Sequence, residues 1–150
     1  MTADISNLDD WIQFHDSEVN ETVKNLALRY ATRTPDVLCG RNRMVFVFTN
    51  YVVKIPMNWD GVADNDWEGS VSNGENYGDP QYVQYARTRL VYVGDIAIVF
   101  MECVRHASVR EVEEHLGTPP GESDWTWSVD GGQVGFNRHG RLVAYDYGCR

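Results

Sequence analysis

The sequence is poor in cysteine. Cys39, Cys103 and Cys149 are far apart and odd in number, and no two are spaced Cys-x-x-Cys. That argues against a zinc site and leads us to expect reduced thiols in a cytosolic protein. Basic charge is also in short supply. Thirteen Lys and Arg against 22 Asp and Glu leave a net charge of −9, so there is no electrostatic footprint for nucleic acid phosphates. Such a charge serves solubility, or docks a basic partner. No apolar run approaches membrane-spanning length, so no membrane partner is expected. The opening residues Met1 to Ser6 lack the basic and apolar regions of a signal peptide. No internal repeat or low-complexity tract occurs. His15, His106, His115 and His139 have no metal-ligand spacing, and the Gly-x-Ser-x-Gly turn of one hydrolase class is absent. What remains is a chain of 150 residues, 43% hydrophobic and 23% charged. That is one domain with enough apolar mass for a core.

The pattern along the chain alternates helix and hairpin. Residues 7–33 read as helix, with Leu8, Trp11, Ile12 and Phe14 as a first apolar stripe. His15-Asp16-Ser17 interrupts it, Asp16 or Ser17 being the expected N-cap, and Val19, Val23, Leu26, Ala27 and Tyr30 continue the spacing. Thr34-Pro35 ends the helix. After a loop over Gly40 to Arg43, Met44–Phe48 and Tyr51–Ile55 are β-branched and aromatic and form a tight hairpin through Thr49-Asn50. Val62 to Val71 reads as a short polar helix carrying Asn65 and Glu68. Ser72 to Pro80 reads as loop, and Gln81 to Ala86 as a helical turn. Thr88–Val93 and Ile96–Met101 form a hairpin through Gly94-Asp95. Ser108 and Glu111 make a capping box for a helix to Leu116, which Gly117 and Pro119 end. Sequential hairpins with helices between them give an α+β domain.

Two features carry chemistry. Lys54 lies inside an apolar strand, on the same face as Val52. On a buried face it needs an anionic partner or ligand; on an edge strand it would only guard against aggregation. The closing hairpin, Gln133–Phe136 and Arg141–Tyr145 around Asn137 to Gly140, ends on Asp146-Tyr147-Gly148. A carboxylate there is placed to enter a cleft, although the same three residues are ordinary turn chemistry.

With these residues in this order, the chain resembles the protein-kinase-like superfamily, and especially small reduced kinase-like proteins of tailed phages and bacteria. Val52-Val53-Lys54 looks like the third strand, whose lysine holds ATP phosphates. Glu68 is similar to the helix-C glutamate that pairs with it. Phe100 to Val104 resembles the end of strand five and the hinge, which implies adenine contacts at Met101, Glu102 and Val104. Gly40, Arg43 and Val45 fall where the glycine-rich loop and its strand would be. Asp146-Tyr147-Gly148 resembles the metal-binding DFG motif, and Gln133 stands where the family has a metal-binding asparagine. The resemblance implies ATP and Mg2+ as cofactors. It also implies an N-lobe type of antiparallel sheet with helix C over residues 37–104. A helical extension would occupy residues 1–36, and a truncated C-lobe with hinge, short helix and terminal hairpin residues 105–150.

The sequence also departs from the family. One glycine position of the phosphate loop is taken by Arg43. There is no HRD motif, and Ser128 stands where the base aspartate belongs; Asp130 is the nearby substitute. Two residues follow Gly148, too few for an activation loop or an acceptor platform. The expectation is therefore a degenerate kinase-like protein, a pseudokinase without phosphotransfer. It would regulate a protein partner in the cytoplasm, the host's cytoplasm if it is phage-encoded. One alternative is an active minimal ATP-dependent kinase using Lys54, Glu68, Asp130 and Asp146. Another is an acidic charge-mimic inhibitor.

Overall fold

A computed structural model describes residues 4–71, 83–122, 124–129 and 133–145. Asp130, Asp146 and the loop expected over Ser72 to Pro80 lie outside the described residues. The chain is α+β and divides into two compact units. One comprises the residues up to Ser70 together with Thr88–Met101; the other takes Val71–Arg87 and everything from Glu102.

The first unit is built on a five-stranded sheet. Its strands are β1 (Val37–Cys39), β2 (Arg43–Val47), β3 (Tyr51–Pro56), β4 (Thr88–Val93) and β5 (Ile96–Glu102), in the order β1-β2-β3-β5-β4. The pairs β1–β2, β2–β3 and β4–β5 are antiparallel. Both expected two-residue hairpins form. Val47 opposes Val52 around the Phe48–Tyr51 turn, and Val93 opposes Ile96 with Gly94 at φ 59°. A left-handed φ favours glycine, because a Cβ there crowds the following carbonyl.

Alternation divides the sheet into two working faces. Met44, Phe46, Val53, Ile55, Ile96 and Ile98 face one way. They form a core with Leu8, Val23, Leu26 and Ala27 from the N-terminal helices and with Ile12 and Phe14 from the link between them. Those helices are α1 (Leu8–Trp11) and α2 (Ser17–Ala31). The single helix expected over residues 7–33 is thus broken where His15-Asp16-Ser17 interrupts the apolar stripe. Asp16 caps α2 by accepting from the amides of Glu18 and Val19. Asn20 fixes the break, exchanging two 2.8 Å hydrogen bonds with the main chain of Phe14. The opposite face of the sheet carries Arg43, Val45 and Lys54, and helix α3 (Trp59–Val71) lies against it.

The second unit holds a three-stranded sheet in the order β6-β7-β8, with β6 (Val104–His106), β7 (Val134–Asn137) and β8 (Leu142–Ala144) antiparallel. Helix α4 (Val109–Leu116) packs there through Val112, beside Ala107, Val134 and Leu142. The Ser108–Glu111 capping box is present and Gly117 ends the helix at φ 78°. Gly135 admits close strand approach. A Cβ on it would stand 2.2 Å from the carbonyl oxygen of Arg105.

Four expectations are corrected here. The helical turn over Gln81 to Ala86 is extended chain where described. Tyr85 bridges Ala144 in parallel, with Ala144 N–H donating to Gln84 at 2.6 Å and Ala86 N–H to Ala144 at 2.9 Å. An unsatisfied edge of β8 recruits this segment, and main-chain pairing outweighs its weak helical pattern. Helix α3 begins at Trp59, not Val62, because Asn58 caps it by accepting from Gly61 N–H at 2.9 Å. Arg43 belongs to β2, not to the preceding loop, and opposes Pro56. The thiols are not all reduced: Cys39 is free, but Cys103 is disulfide-bonded.

Candidate functional site

Lys54 occupies the middle strand of the five, so its role as a solubilising edge residue is ruled out. Its side chain is fully buried, as are its strand neighbours Val52, Val53 and Ile55. A buried ammonium must be paired, and Glu68 supplies the pair. One carboxylate oxygen of Glu68 accepts from Lys54 Nζ and the other accepts from Arg43 Nη1. Arg43 is 2% exposed. Two cations and one carboxylate therefore share the covered side of α3.

Local sequence explains the convergence. The antiparallel register sets Val45 opposite Lys54 and Arg43 opposite Pro56, which places Arg43, Val45 and Lys54 on one face. On α3, Asn65 and Glu68 are three residues apart and share a side of the helix. Gly61 lets the first turn of α3 approach the β1–β2 loop; a Cβ there would lie 2.2 Å from Asn42 O. That loop is held further by Met57 N–H donating to Asn42 O at 2.8 Å and by Asn42 Nδ2 donating to Asp64 at 3.3 Å.

Asn65 closes the network. Its Oδ1 accepts from Arg43 Nη1 at 3.0 Å, while Nδ2 donates to the carbonyls of Lys54 at 3.0 Å and Ala97 at 2.8 Å. The three bonds tie α3 to strands β2, β3 and β5. Asn65 is completely buried, and no buried side-chain nitrogen or oxygen among the described residues lacks a partner.

The electrostatics follow from burial and proximity. Burial pushes the Lys54 ammonium down to about 8 against the pull of Glu68, and Arg43 adds like-charge repulsion. Burial alone would raise the Glu68 carboxyl, but Lys54 and then Arg43 overcome it and hold it below its ordinary value. The carboxylate stays charged because two cations face it.

Of the residues singled out from the sequence, the structure brings Arg43, Lys54 and Glu68 into direct contact. Val45 and Met101 are buried on the same sheet face. Gly40 lies in the β1–β2 turn, its N–H donating to the Arg43 carbonyl at 2.9 Å. Glu102 and Val104 belong to the second unit. There Glu102 is bonded twice to the main chain of Arg87, through its N–H at 3.0 Å and its carboxylate at 2.7 Å. Val104 opens strand β6 opposite Asn137, where a hinge segment was expected, and its side chain is buried. Gln133 precedes β7 in the second unit and its carbonyl accepts from Tyr145 N–H at 2.9 Å. Asp130 and Asp146 lie outside the described residues.

Sequence reasoning missed Asn65 and put Arg43 in the loop before its strand. The available signal was the 3-residue spacing of Asn65 and Glu68 on one helix face, combined with the alternation that puts Arg43 two positions before Val45. Among the described residues no group of three or more His, Cys, Asp or Glu side chains is arranged to hold a metal ion. No described helix is long and apolar enough to cross a membrane. No protein-family model matches the chain, and neither does any curated protein or any solved structure.

Proposed function

We propose that this chain is a degenerate kinase-like domain that regulates a protein partner by binding it and does not transfer phosphate. The observation that carries the reading is the state of Lys54. Its ammonium is fully buried, and the carboxylate paired with it is shared with Arg43. The Lys–Glu pair and the five-stranded sheet with a helix against one face support the kinase-like part. Arg43 supports the silent part. The family resemblance puts a phosphate-loop glycine at that position, where backbone amides would meet phosphate. Here a long cation occupies it and is spent on Glu68 and Asn65. The cluster then works as an internal ion network that fixes α3 to the sheet.

The active-kinase reading keeps one specific support, the Lys54–Glu68 contact, which is also the arrangement that orients a lysine for ATP. Calorimetric titration of ATP, with and without magnesium, separates the two readings. The proposal expects no magnesium-dependent heat at millimolar ATP. Magnesium-dependent binding that disappears in Lys54→Met, with that variant still folded by circular dichroism, would overturn it in favour of phosphotransfer.

A further inference from the structure

Helix α3 covers one side and displays the other. Asn65 and Gly69 are buried, while Trp59, Asp60, Asp64, Asp66 and Trp67 are exposed. Trp67 is 59% exposed, and Tyr92 of the edge strand β4 is 53% exposed; Trp59, 45% exposed, rests edge-on against the Phe14 ring, with centroids 5.1 Å apart. The Tyr92 hydroxyl donates to Asp66, which ties the strand's ring to the helix's carboxylates. Tyr92 is on the α3 side of its strand, with Leu90, whose Cβ stands 2.7 Å from where a Cβ on Gly69 would be. Arg89, three residues before Tyr92, faces the other way. From Trp59 to Val71 the helix has no lysine or arginine.

Large aromatics left in water cost hydration free energy, and such side chains are enriched where proteins meet proteins. Here the carboxylates among them state the chemistry of what fits. A guanidinium satisfies both halves of the surface at once. It pairs with an Asp through a fork of donors and stacks its plane on an indole or phenol. An ammonium offers only a hydrated point charge.

We propose that the outer face of α3, with Tyr92 of β4, docks an arginine-rich segment of a protein partner. The proposal rests on the partner-binding half of the reading above and makes no use of Lys54, Glu68 or nucleotide.

The probe is an octa-arginine peptide titrated into the full ¹⁵N-labelled chain, with octa-lysine as comparison. Amide and indole shifts locate the contact. Expected are shifts concentrated on α3 and β4, including the Trp67 indole, and binding that weakens with salt. Binding should fall about ten-fold in Trp67→Ser and about ten-fold in Asp64→Asn/Asp66→Asn, each step being about 1.4 kcal/mol. It should be unchanged in Glu113→Gln/Glu114→Gln on the exposed side of α4, and octa-lysine should bind more weakly than octa-arginine. The substituted residues are exposed, so circular dichroism should find all variants folded. Shifts spread evenly over the acidic surface would overturn the proposal, as would variants that bind like wild type or an absence of binding. Success here beside magnesium-dependent ATP binding would keep this surface and remove the silent reading. Failure here beside an absence of ATP binding would do the reverse.

Discussion

Asn65 holds the main chain of Lys54: its Nδ2 donates to the Lys54 carbonyl at 3.0 Å, from a helix eleven residues later. The same amide group reaches Ala97 on the neighbouring strand, and its oxygen receives Arg43. One side chain therefore sets both the backbone of the lysine strand and the cation that shares the lysine's carboxylate.

Removing that side chain should be costly. Asn65→Leu keeps the volume but strands two buried carbonyls and one guanidinium donor. An orphaned buried polar group costs about 1–3 kcal/mol, so the total loss should reach about 3 kcal/mol in urea unfolding. A loss below about 1 kcal/mol would mean that water or another group takes over the bonds.

Glu68→Gln leaves two buried cations facing a neutral amide. Breaking a buried pair from one side costs about 3–5 kcal/mol. Replacing Arg43, Lys54 and Glu68 together by Met, Met and Leu removes the charges with their desolvation cost. Urea midpoints should therefore rank the triple variant above Glu68→Gln. The opposite ranking would show that the ions themselves, and not just their mutual compensation, stabilise the fold.

The Lys54 ammonium titrates near 8 in the folded chain, against 10.5 for a free lysine. Between those values the unfolded chain binds more protons than the folded one, so this group's contribution to stability rises with pH. Taking wild type minus Lys54→Met cancels the other groups. From pH 8 to 10.5 that difference should move in favour of wild type; a flat difference would mean that Lys54 is not depressed. At the acid end the sign is set by Glu68. Its folded value lies below 4.5, so its stabilisation is present above 4.5 and is lost as pH falls through the lower folded value.

Gly135 and Gly140 should respond differently to alanine. At Gly135 the added Cβ meets the Arg105 carbonyl oxygen at 2.2 Å and Val104 Cγ1 at 2.7 Å, so strands β6 and β7 must part. Overpacking of this kind costs about 3 kcal/mol or more when backbone blocks it. At Gly140 nothing crowds the new atom, and only the left-handed φ of 75° is strained, at about 1 kcal/mol. Thermal unfolding of the two variants checks the order, and equal losses would refute the close approach.

Local chemistry made much of the fold legible. Asp16 and the Ser108–Glu111 box mark helix starts because a short oxygen side chain satisfies amides that have no partner within the helix. Gly94-Asp95 and Thr49-Asn50 mark hairpins because the strands around them alternate and the turn must reverse within two residues. Lys54 announced itself as an apolar strand's only charge, and a buried charge demands an opposite one. That much is written in the sequence, since each inference needs only neighbours within a few positions.

Tertiary structure decided which partners met. Arg43 looked like part of a loop, but it belongs to a strand, where it turns inward and joins Lys54 on Glu68. The β-strand status of Val104 and the extended path through Tyr85 came from β7 and β8 offering unpaired main chain, from residues about thirty and sixty positions away. Asn65 read as an ordinary polar helix residue until two strands presented their carbonyls to it. These outcomes depend on long-range pairing, in which burial makes every polar group find a partner wherever the fold has put one.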